Sequence, residues 1–290
     1  VSGTSGVADV ADRAAVDERV LIATDLDRTL VYSRAAAGPP RPGEPAWVVV
    51  EHLEGREISY LTPTAAERCA ALAAARRLVP VTTRTPEQYA RITLPGPPAQ
   101  YAVTANGGVL LVDGRPDASW DARVRSALRT VAGLEEARGE LVRACGSDPS
   151  AQVRTVPELF CYAVVDRPRL DPASLDRLHA WGSAAGWVAS LQGRKLYLVP
   201  VPLTKAAATA EVARRTGARH VLAAGDSLLD VDLLELADLG VRPGHGEIAD
   251  SGWSSPTVTA LETTGIRAGE EVLAWFAARA EELVGRPGER

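Results

Sequence analysis

The chain has 290 residues, 46% of them apolar, with 32 basic and 37 acidic side chains and a formal net charge of -5. That size and apolar share fill one large domain or two of moderate size, and the acidic balance argues against a general nucleic-acid binder. Cys69, Cys145 and Cys161 are the three cysteines; they are too few for a disulfide framework and lack metal-ligand spacing, so Cys69 and Cys161 read as core residues.

Residues 1–18 read as a flexible leader. Their small, polar start has no basic region followed by an apolar core, so it is not a signal peptide. No run reaches the roughly 18 consecutive apolar residues of a spanning helix. The expectation is a cytoplasmic enzyme with no membrane partner.

Val20–Thr24 is predicted as the first, buried strand. It runs into Asp25-Leu26-Asp27-Arg28-Thr29. Two carboxylates two residues apart at a strand end can share one reaction, one attacking as a nucleophile and the other moving a proton. The same spacing also occurs in cation-binding loops. Arg34–Pro45 holds four prolines and two glycines and reads as loop. Trp47–His52 and Arg56–Tyr60 flank Leu53-Glu54-Gly55 as a hairpin. It is either a surface ornament or a flap that restricts water near the acidic pair. Thr62-Pro63 opens a helix predicted to run to Arg77, and Leu78–Val81 is a short strand. Thr85-Pro86-Glu87-Gln88 opens another helix with capping-box chemistry. Tyr101–Thr104 and Val109–Val112 are strands around Asn106-Gly107-Gly108. This alternation predicts an α/β fold with a mostly parallel sheet and helical crossovers.

The pattern changes after Asp113. A helix-like region spans Trp120–Arg143, followed by extended runs Gln152–Val156 and Leu159–Val165 and a helix opening at Asp171-Pro172. Trp187–Leu191 and Lys195–Val199 are joined by the turn Gln192-Gly193-Arg194. Residues 113–192 therefore read as an inserted α+β cap, with 19–112 and 193–290 as the core. The α/β pattern resumes with a helix from Thr204 to Thr216, a strand at His220–Ala224, a short helix over Leu228–Ala237, a short strand at Leu239–Val241 and a terminal helix over Ala268–Val284.

Several residues in the core could carry chemistry. Thr82 follows a predicted strand, where a hydroxyl and backbone donors suit an anion; Thr83 is equally reachable, and Arg84 follows. Either threonine alone also reads as a helix cap or turn residue. Lys205, opening the helix after the insertion, could hold a phosphate; alone it reads as a solvated surface lysine. Gly225-Asp226-Ser227-Leu228-Leu229-Asp230 is sharper. Asp226 follows an apolar strand, and Asp230 lies four residues on, one turn along if a helix starts between them. Hard oxygen ligands at this spacing suit Mg²⁺. Asp232 and Asp238 read as surface or capping residues.

With Asp25-Leu26-Asp27-Arg28-Thr29, Thr82-Thr83-Arg84, Lys205 and the Gly225–Asp230 segment in this order, the chain resembles the haloacid dehalogenase-like (HAD) superfamily of phosphohydrolases over residues 20 to about 250. Asn106-Gly107-Gly108 and Leu196-Tyr197-Leu198-Val199-Pro200 are similar to the branch with a large type-C2 cap, which includes Cof-type, sucrose-phosphate phosphatase-like and mannosyl-3-phosphoglycerate phosphatase-like enzymes and phosphomannomutases. The resemblance implies a Rossmann-like HAD core, a mostly parallel sheet with helices on both faces, plus the inserted α+β cap. It also implies that Asp25 is a nucleophile forming an aspartyl-phosphate and Asp27 a general acid/base. Mg²⁺ would be held by the side chains of Asp25 and Asp226 and the backbone carbonyl of Asp27, with Asp230 binding directly or through water. Thr82 and Lys205 would bind phosphate.

Two positions depart from the family pattern: Arg28 and Thr83 each replace a common glycine. The implied activity is Mg²⁺-dependent hydrolysis of a small phosphorylated metabolite: a sugar, polyol or glycosyl-acid phosphate. A sugar phosphomutase and a non-catalytic module of the same fold are the alternatives. Arg28, Thr83, Arg84, Arg194, Lys195 and His245 are candidate substrate contacts, whereas Tyr162, Trp181 and Trp187 read as packing residues.

Overall fold

A computed structural model of the chain describes residues 17–146, 148 and 150–284. The leader expected over residues 1–18 lies outside the described residues as far as position 16, and the first strand already begins at Asp17.

Strand β1 (Asp17–Thr24) is buried on both faces from Val20 to Thr24. Val20 and Ile22 join one apolar cluster and Leu21 and Ala23 the other, the two-residue alternation of a strand covered on both sides. After it come β2 (Tyr32–Ser33) and a one-turn helix α1 (Arg34–Ala37), capped by the Ser33 hydroxyl inside the stretch expected to be loop. The predicted hairpin is present as β3 (Val48–Leu53) and β4 (Arg56–Leu61), with β2 pairing on β4. Glu54 and Gly55 both take positive φ at its tip, as a two-residue turn requires.

Helix α2 (Pro63–Ala75) ends two residues short of the predicted Arg77, because Arg76 already belongs to β5 (Arg76–Pro80). Helix α3 (Pro86–Tyr89) has the expected capping box on Thr85 and Gln88 but lasts a single turn. Next are β6 (Tyr101–Thr104), β7 (Val109–Val112) and β8 (Arg115–Pro116), an antiparallel trio attached to the core by a Val81–Val103 bridge. The single helix-like region expected over Trp120–Arg143 is two helices, α4 (Ala118–Leu128) and α5 (Leu134–Cys145). Gly133 is the N-cap of the second.

The inserted α+β region continues with β9 (Gln152–Val156), β10 (Phe160–Val164), α6 (Pro172–Ala185), β11 (Trp187–Gln192) and β12 (Lys195–Pro200). Its four strands form an antiparallel sheet in the order β11-β12-β10-β9, with α5 and α6 packed on it. Tyr162, Trp181 and Trp187 pack there, as expected.

The chain then returns to the core with α7 (Lys205–Thr216), β13 (His220–Ala224), α8 (Val231–Leu236), β14 (Leu239–Arg242), α9 (Glu247–Ser251), β15 (Val258–Ala260) and α10 (Ile266–Val284). A 3-10 turn at Leu228–Asp230 precedes α8, so the expected Leu228–Ala237 helix has two parts. The core sheet is parallel throughout, in the order β15-β14-β13-β1-β5. Cys69 and Leu72 of α2 and Val272 and Phe276 of α10 cover one face; Ala208 and Val212 of α7 and Leu233 of α8 cover the other. This is a Rossmann-like core with an inserted α+β cap. Among the described residues no helix is long and apolar enough to cross a membrane, and all three cysteines are buried and unpaired.

Candidate active site

Three carboxylates meet at the C-terminal edge of the parallel sheet, where open α/β folds bind their ligands. Asp25 follows β1, with its amide donating to the Ala224 carbonyl at 2.9 Å. Asp226 follows β13, and Asp230 lies at the end of the 3-10 turn. All three are buried, and one oxygen from each lies within 4.8 Å of the others.

Lys205, the first residue of α7, reaches into this cluster. Its side chain is 1% exposed, and its ammonium donates to Asp25 Oδ1 at 2.6 Å and to Asp230 Oδ1. Burial pushes the Asp25 carboxyl up to about 7; Lys205 opposes that shift, while the neighbouring charges of Asp230 and Asp27 add to it. Burial, Asp25 and Asp230 likewise push Asp226 well above the usual carboxylate range. Burial alone would lower Lys205, but Asp230 and Asp25 outweigh it and hold the ammonium charged.

Asp230 also shapes the loop. Its Oδ2 accepts from the amides of Asp226 (3.1 Å) and Ser227 (2.9 Å) and from the Ser227 hydroxyl (2.7 Å). Gly225 permits this, since a Cβ there would stand 2.3 Å from Asp230 Cβ. Gly246 plays the same part on the other side: at φ 100° it packs where a Cβ would meet the Asp226 carbonyl at 2.4 Å. Three converging buried hard-oxygen donors, with two carboxyls pushed upward by burial and mutual repulsion, fit a divalent cation such as Mg²⁺.

Asp27 is set apart from this cluster. Its side chain is 40% exposed and is gripped by Arg84, whose Nε and Nη2 each donate to one carboxylate oxygen at 2.7 Å. Burial would raise Asp27, but Arg84, Lys195 and Lys205 outweigh it and hold the carboxyl below its ordinary range. The third nitrogen of Arg84, Nη1, donates to Glu51 Oε1 of the hairpin at 2.8 Å. Glu51 was not singled out from sequence, and its signal there is weak. A glutamate among Val48, Val49 and Val50 reads as the polar face of a strand, but a bulge in β3 turns it inward.

The remaining candidates separate. Thr82 is fully buried, and its hydroxyl oxygen accepts from the Arg84 amide at 3.2 Å. Thr83 donates instead to the Tyr197 hydroxyl of the cap at 3.4 Å. Lys195 lies over the Tyr162 ring at 5.9 Å, and the pull of Tyr197 and Asp27 holds its ammonium above the usual range. Arg194 is exposed on the hairpin turn and has no side-chain partner among the described residues. Arg28 places Nε 3.2 Å from Asp226 Oδ2, with its backbone at φ 68°.

His245 sits behind the Arg28 turn rather than facing substrate space. Its Nδ1 accepts from the Gly265 amide at 3.2 Å, which leaves Nε2 to donate to the Arg28 carbonyl at 2.8 Å. Burial holds its pKa below the usual value, favouring this neutral form. Asp232 caps α7 through the Ala206 amide at 3.0 Å, in keeping with a capping role.

A cavity of about 270 Å³ opens between cap and core, lined among others by Arg28, Asp226, Arg167 and the β11–β12 turn at Gln192 and Gly193. Glu247 spans its wall. Its carboxylate accepts from the Ser190 hydroxyl (2.7 Å) and the Leu191 amide (2.9 Å) of the cap, and from the Leu228 amide (3.1 Å) of the core. Glu247 was also missed from sequence, where one acidic residue in a short surface helix carries no signal.

No protein-family model matches the chain. A search of curated proteins gives no sequence match. Solved structures do resemble it. The sucrose-phosphatase of Synechocystis sp. PCC6803, in complex with sucrose and phosphate, shares 17% identity over 89% of this chain and 98% of its own, with a TM-score of 0.60. The C-terminal domain of C. albicans trehalose-6-phosphate phosphatase shares 12% identity over 90% and 92%, with a TM-score of 0.54. A sugar phosphatase of HAD subclass IIB shares 13% identity over 91% and 98%, with a TM-score of 0.53. At these identities the likeness establishes the fold alone: a Rossmann-like core with an inserted α+β cap.

Proposed function

We propose that the protein is a Mg²⁺-dependent phosphomonoester hydrolase that passes a phosphoryl group from a small metabolite first to Asp25 and then to water. The observation that carries this reading is the position of Asp25: a buried carboxylate held by Lys205 at 2.6 Å, within a three-carboxylate cluster, at the end of a central strand. Lys205 engages Oδ1, which leaves Oδ2 as the attacking oxygen. The cluster of Asp25, Asp226 and Asp230, with the Asp27 backbone carbonyl, would hold the cation. Bound there, Mg²⁺ supplies positive charge that offsets repulsion between Asp25 and the phosphoryl oxygens.

Asp25 forms the new bond to phosphorus as the ester P–O bond breaks, and the electron pair stays on the leaving oxygen. Asp27 gives that oxygen a proton. In the free protein Arg84 keeps Asp27 ionised; a bound phosphoryl group adds negative charge beside it and favours its protonated form. The ionised form then takes a proton from water, whose oxygen attacks phosphorus and restores Asp25. The Thr82 hydroxyl already accepts from a backbone amide, so its hydrogen is available to a phosphoryl oxygen.

The cap, which we place at residues 113–192 with the adjoining strand β12 completing its sheet, selects the leaving group. The cavity between its β11–β12 turn and the Asp226 loop suits a small polar ester such as a sugar, polyol or glycosyl-acid phosphate. The similar structures named for sucrose and trehalose-6-phosphate phosphatases support the sugar end of that range. Arg28, Lys195 and Arg194 are its candidate contacts.

Phosphate release from a panel of phosphate esters, with and without Mg²⁺, tests the reading. Wild-type protein should release phosphate without a bisphosphorylated activator, which separates hydrolysis from mutase chemistry. Asp25→Asn should lower the rate on the order of 10³-fold or more. Undiminished turnover by Asp25→Asn would end the covalent route.

A further inference from the structure

Glu51 is 1% exposed, and both of its oxygens are used. Oε1 accepts from Arg84 Nη1 at 2.8 Å and from Arg91 Nε at 3.1 Å; Oε2 accepts from the Ser59 hydroxyl at 2.6 Å. Burying a carboxylate is costly unless it is paired, and here the hairpin spends a bulge on doing so. The register of β3 against β4 shifts on both sides of Glu51, so Val50 and Glu51 are both buried where alternation would expose one of them.

What the buried carboxylate reaches is one end of a rigid fork. A guanidinium is planar, so fixing one nitrogen fixes the directions of the others. With Nη1 on Glu51, the Nε and Nη2 edge of Arg84 faces Asp27 and makes two parallel bonds of 2.7 Å. Among the described residues the Asp27 carboxylate has no other hydrogen-bond partner, and 40% of its side chain is exposed. Arg84 is therefore what sets the plane of that carboxyl, and Glu51 is what sets Arg84.

We propose that Glu51 is a positioning residue for proton transfer at Asp27, acting through Arg84, and that the β3–β4 hairpin is thereby part of the acid-base apparatus. This rests on the reading of Asp27 as proton donor. The proton leaves the Asp27 carboxyl for the ester oxygen as the P–O bond breaks, the bond's electron pair remaining on that oxygen. Misaiming the carboxyl slows this step in proportion to how much the leaving oxygen needs the proton.

Leaving-group dependence reads that need directly. Phenyl phosphate and p-nitrophenyl phosphate have nearly the same shape, but nitrophenolate departs readily without protonation and phenolate does not. With Mg²⁺ present, Glu51→Gln should lower kcat/KM for phenyl phosphate, which reports steps only as far as transfer to Asp25 and not the later hydrolysis shared by all esters, by about tenfold or more. For the p-nitrophenyl ester kcat/KM should stay within about threefold.

Arg91→Gln removes the other guanidinium from Glu51 without touching Arg84, and should keep the wild-type ratio between the two esters. Equal losses of kcat/KM on both esters with Glu51→Gln would overturn the proposal, as would the same selective loss with Arg91→Gln. If Glu51→Gln fails to fold, Arg84→Lys keeps a cation but removes the fork; it must show the selective loss on phenyl phosphate, and equal losses there overturn the proposal too. Wild-type protein that hydrolyses neither ester, or an Asp25→Asn protein as active as wild type, would instead defeat the hydrolase reading itself.

Discussion

Arg28 holds its Nε 3.2 Å from Asp226 Oδ2 while its own backbone sits in the left-handed region at φ 68°. A non-glycine residue in that conformation costs roughly 1–2 kcal/mol. The strain lies at the turn between the two motif aspartates and Thr29, and the His245 and Val31 hydrogen bonds to Arg28 hold that turn in place.

Arg28→Gly and Arg28→Ala both delete the guanidinium, but only glycine relieves the backbone. The glycine variant should therefore be more stable than the alanine variant by about 1 kcal/mol. Chemical denaturation of the two proteins side by side measures the difference. Alanine equal to or above glycine would show that the turn relaxes when the side chain is lost.

Lys205 sits between Asp25 and Asp230 with almost no solvent access. Lys205→Met leaves those carboxylates without their buried cation and should cost about 3 kcal/mol of stability in the absence of divalent metal. Mg²⁺ binding should then recover more thermal stability in the variant than in the wild type. Melting curves with EDTA and with Mg²⁺ give both numbers.

Asp25 has a folded-state pKa of about 7, raised by burial above the unfolded carboxylate value. The folded state therefore binds the extra proton, and stability falls as pH rises between about 4 and 7. Asp226, also raised, acts in the same direction. A bound divalent cation favours the ionised forms and should flatten this fall. Unfolding free energies across that pH window, with EDTA and with saturating Mg²⁺, check the sign. A rise in stability toward pH 7 in EDTA would contradict the raised values.

Glu247 ties the cap to the core through Ser190, Leu191 and Leu228. In Glu247→Ala the amides of Leu191 and Leu228 lose their acceptor, and their hydrogen exchange should accelerate by about tenfold. Amides inside the β10–β12 ladder should keep their protection. Mass-spectrometric exchange on the intact chain distinguishes a local release from loosening of the whole cap.

Much of the site is legible in the chain because its chemistry is local. Asp25 and Asp27 follow an apolar strand, Lys205 follows the cap residue Thr204 at a helix start, and Asp226 follows the strand His220–Ala224. Strand ends and helix caps have short-range signatures, so the edge of the sheet where these residues gather follows from them. The errors in the elements were likewise local. Arg76 reads as helix by continuity but joins β5, and Gly133 breaks what looks like one helix into α4 and α5.

Sequence by itself determined the residue types, their order and the parallel core whose strand ends present them. Tertiary structure alone decided which charges meet. Arg84 lies 57 positions from Asp27 and 33 from Glu51, and Lys205 lies 180 from Asp25. A charge in a sequence carries no mark of its burial or its partner; both depend on where distant elements place their backbones. The bulge in β3 is the clearest case, since a one-residue slip in pairing turned Glu51 from the solvent face toward Arg84.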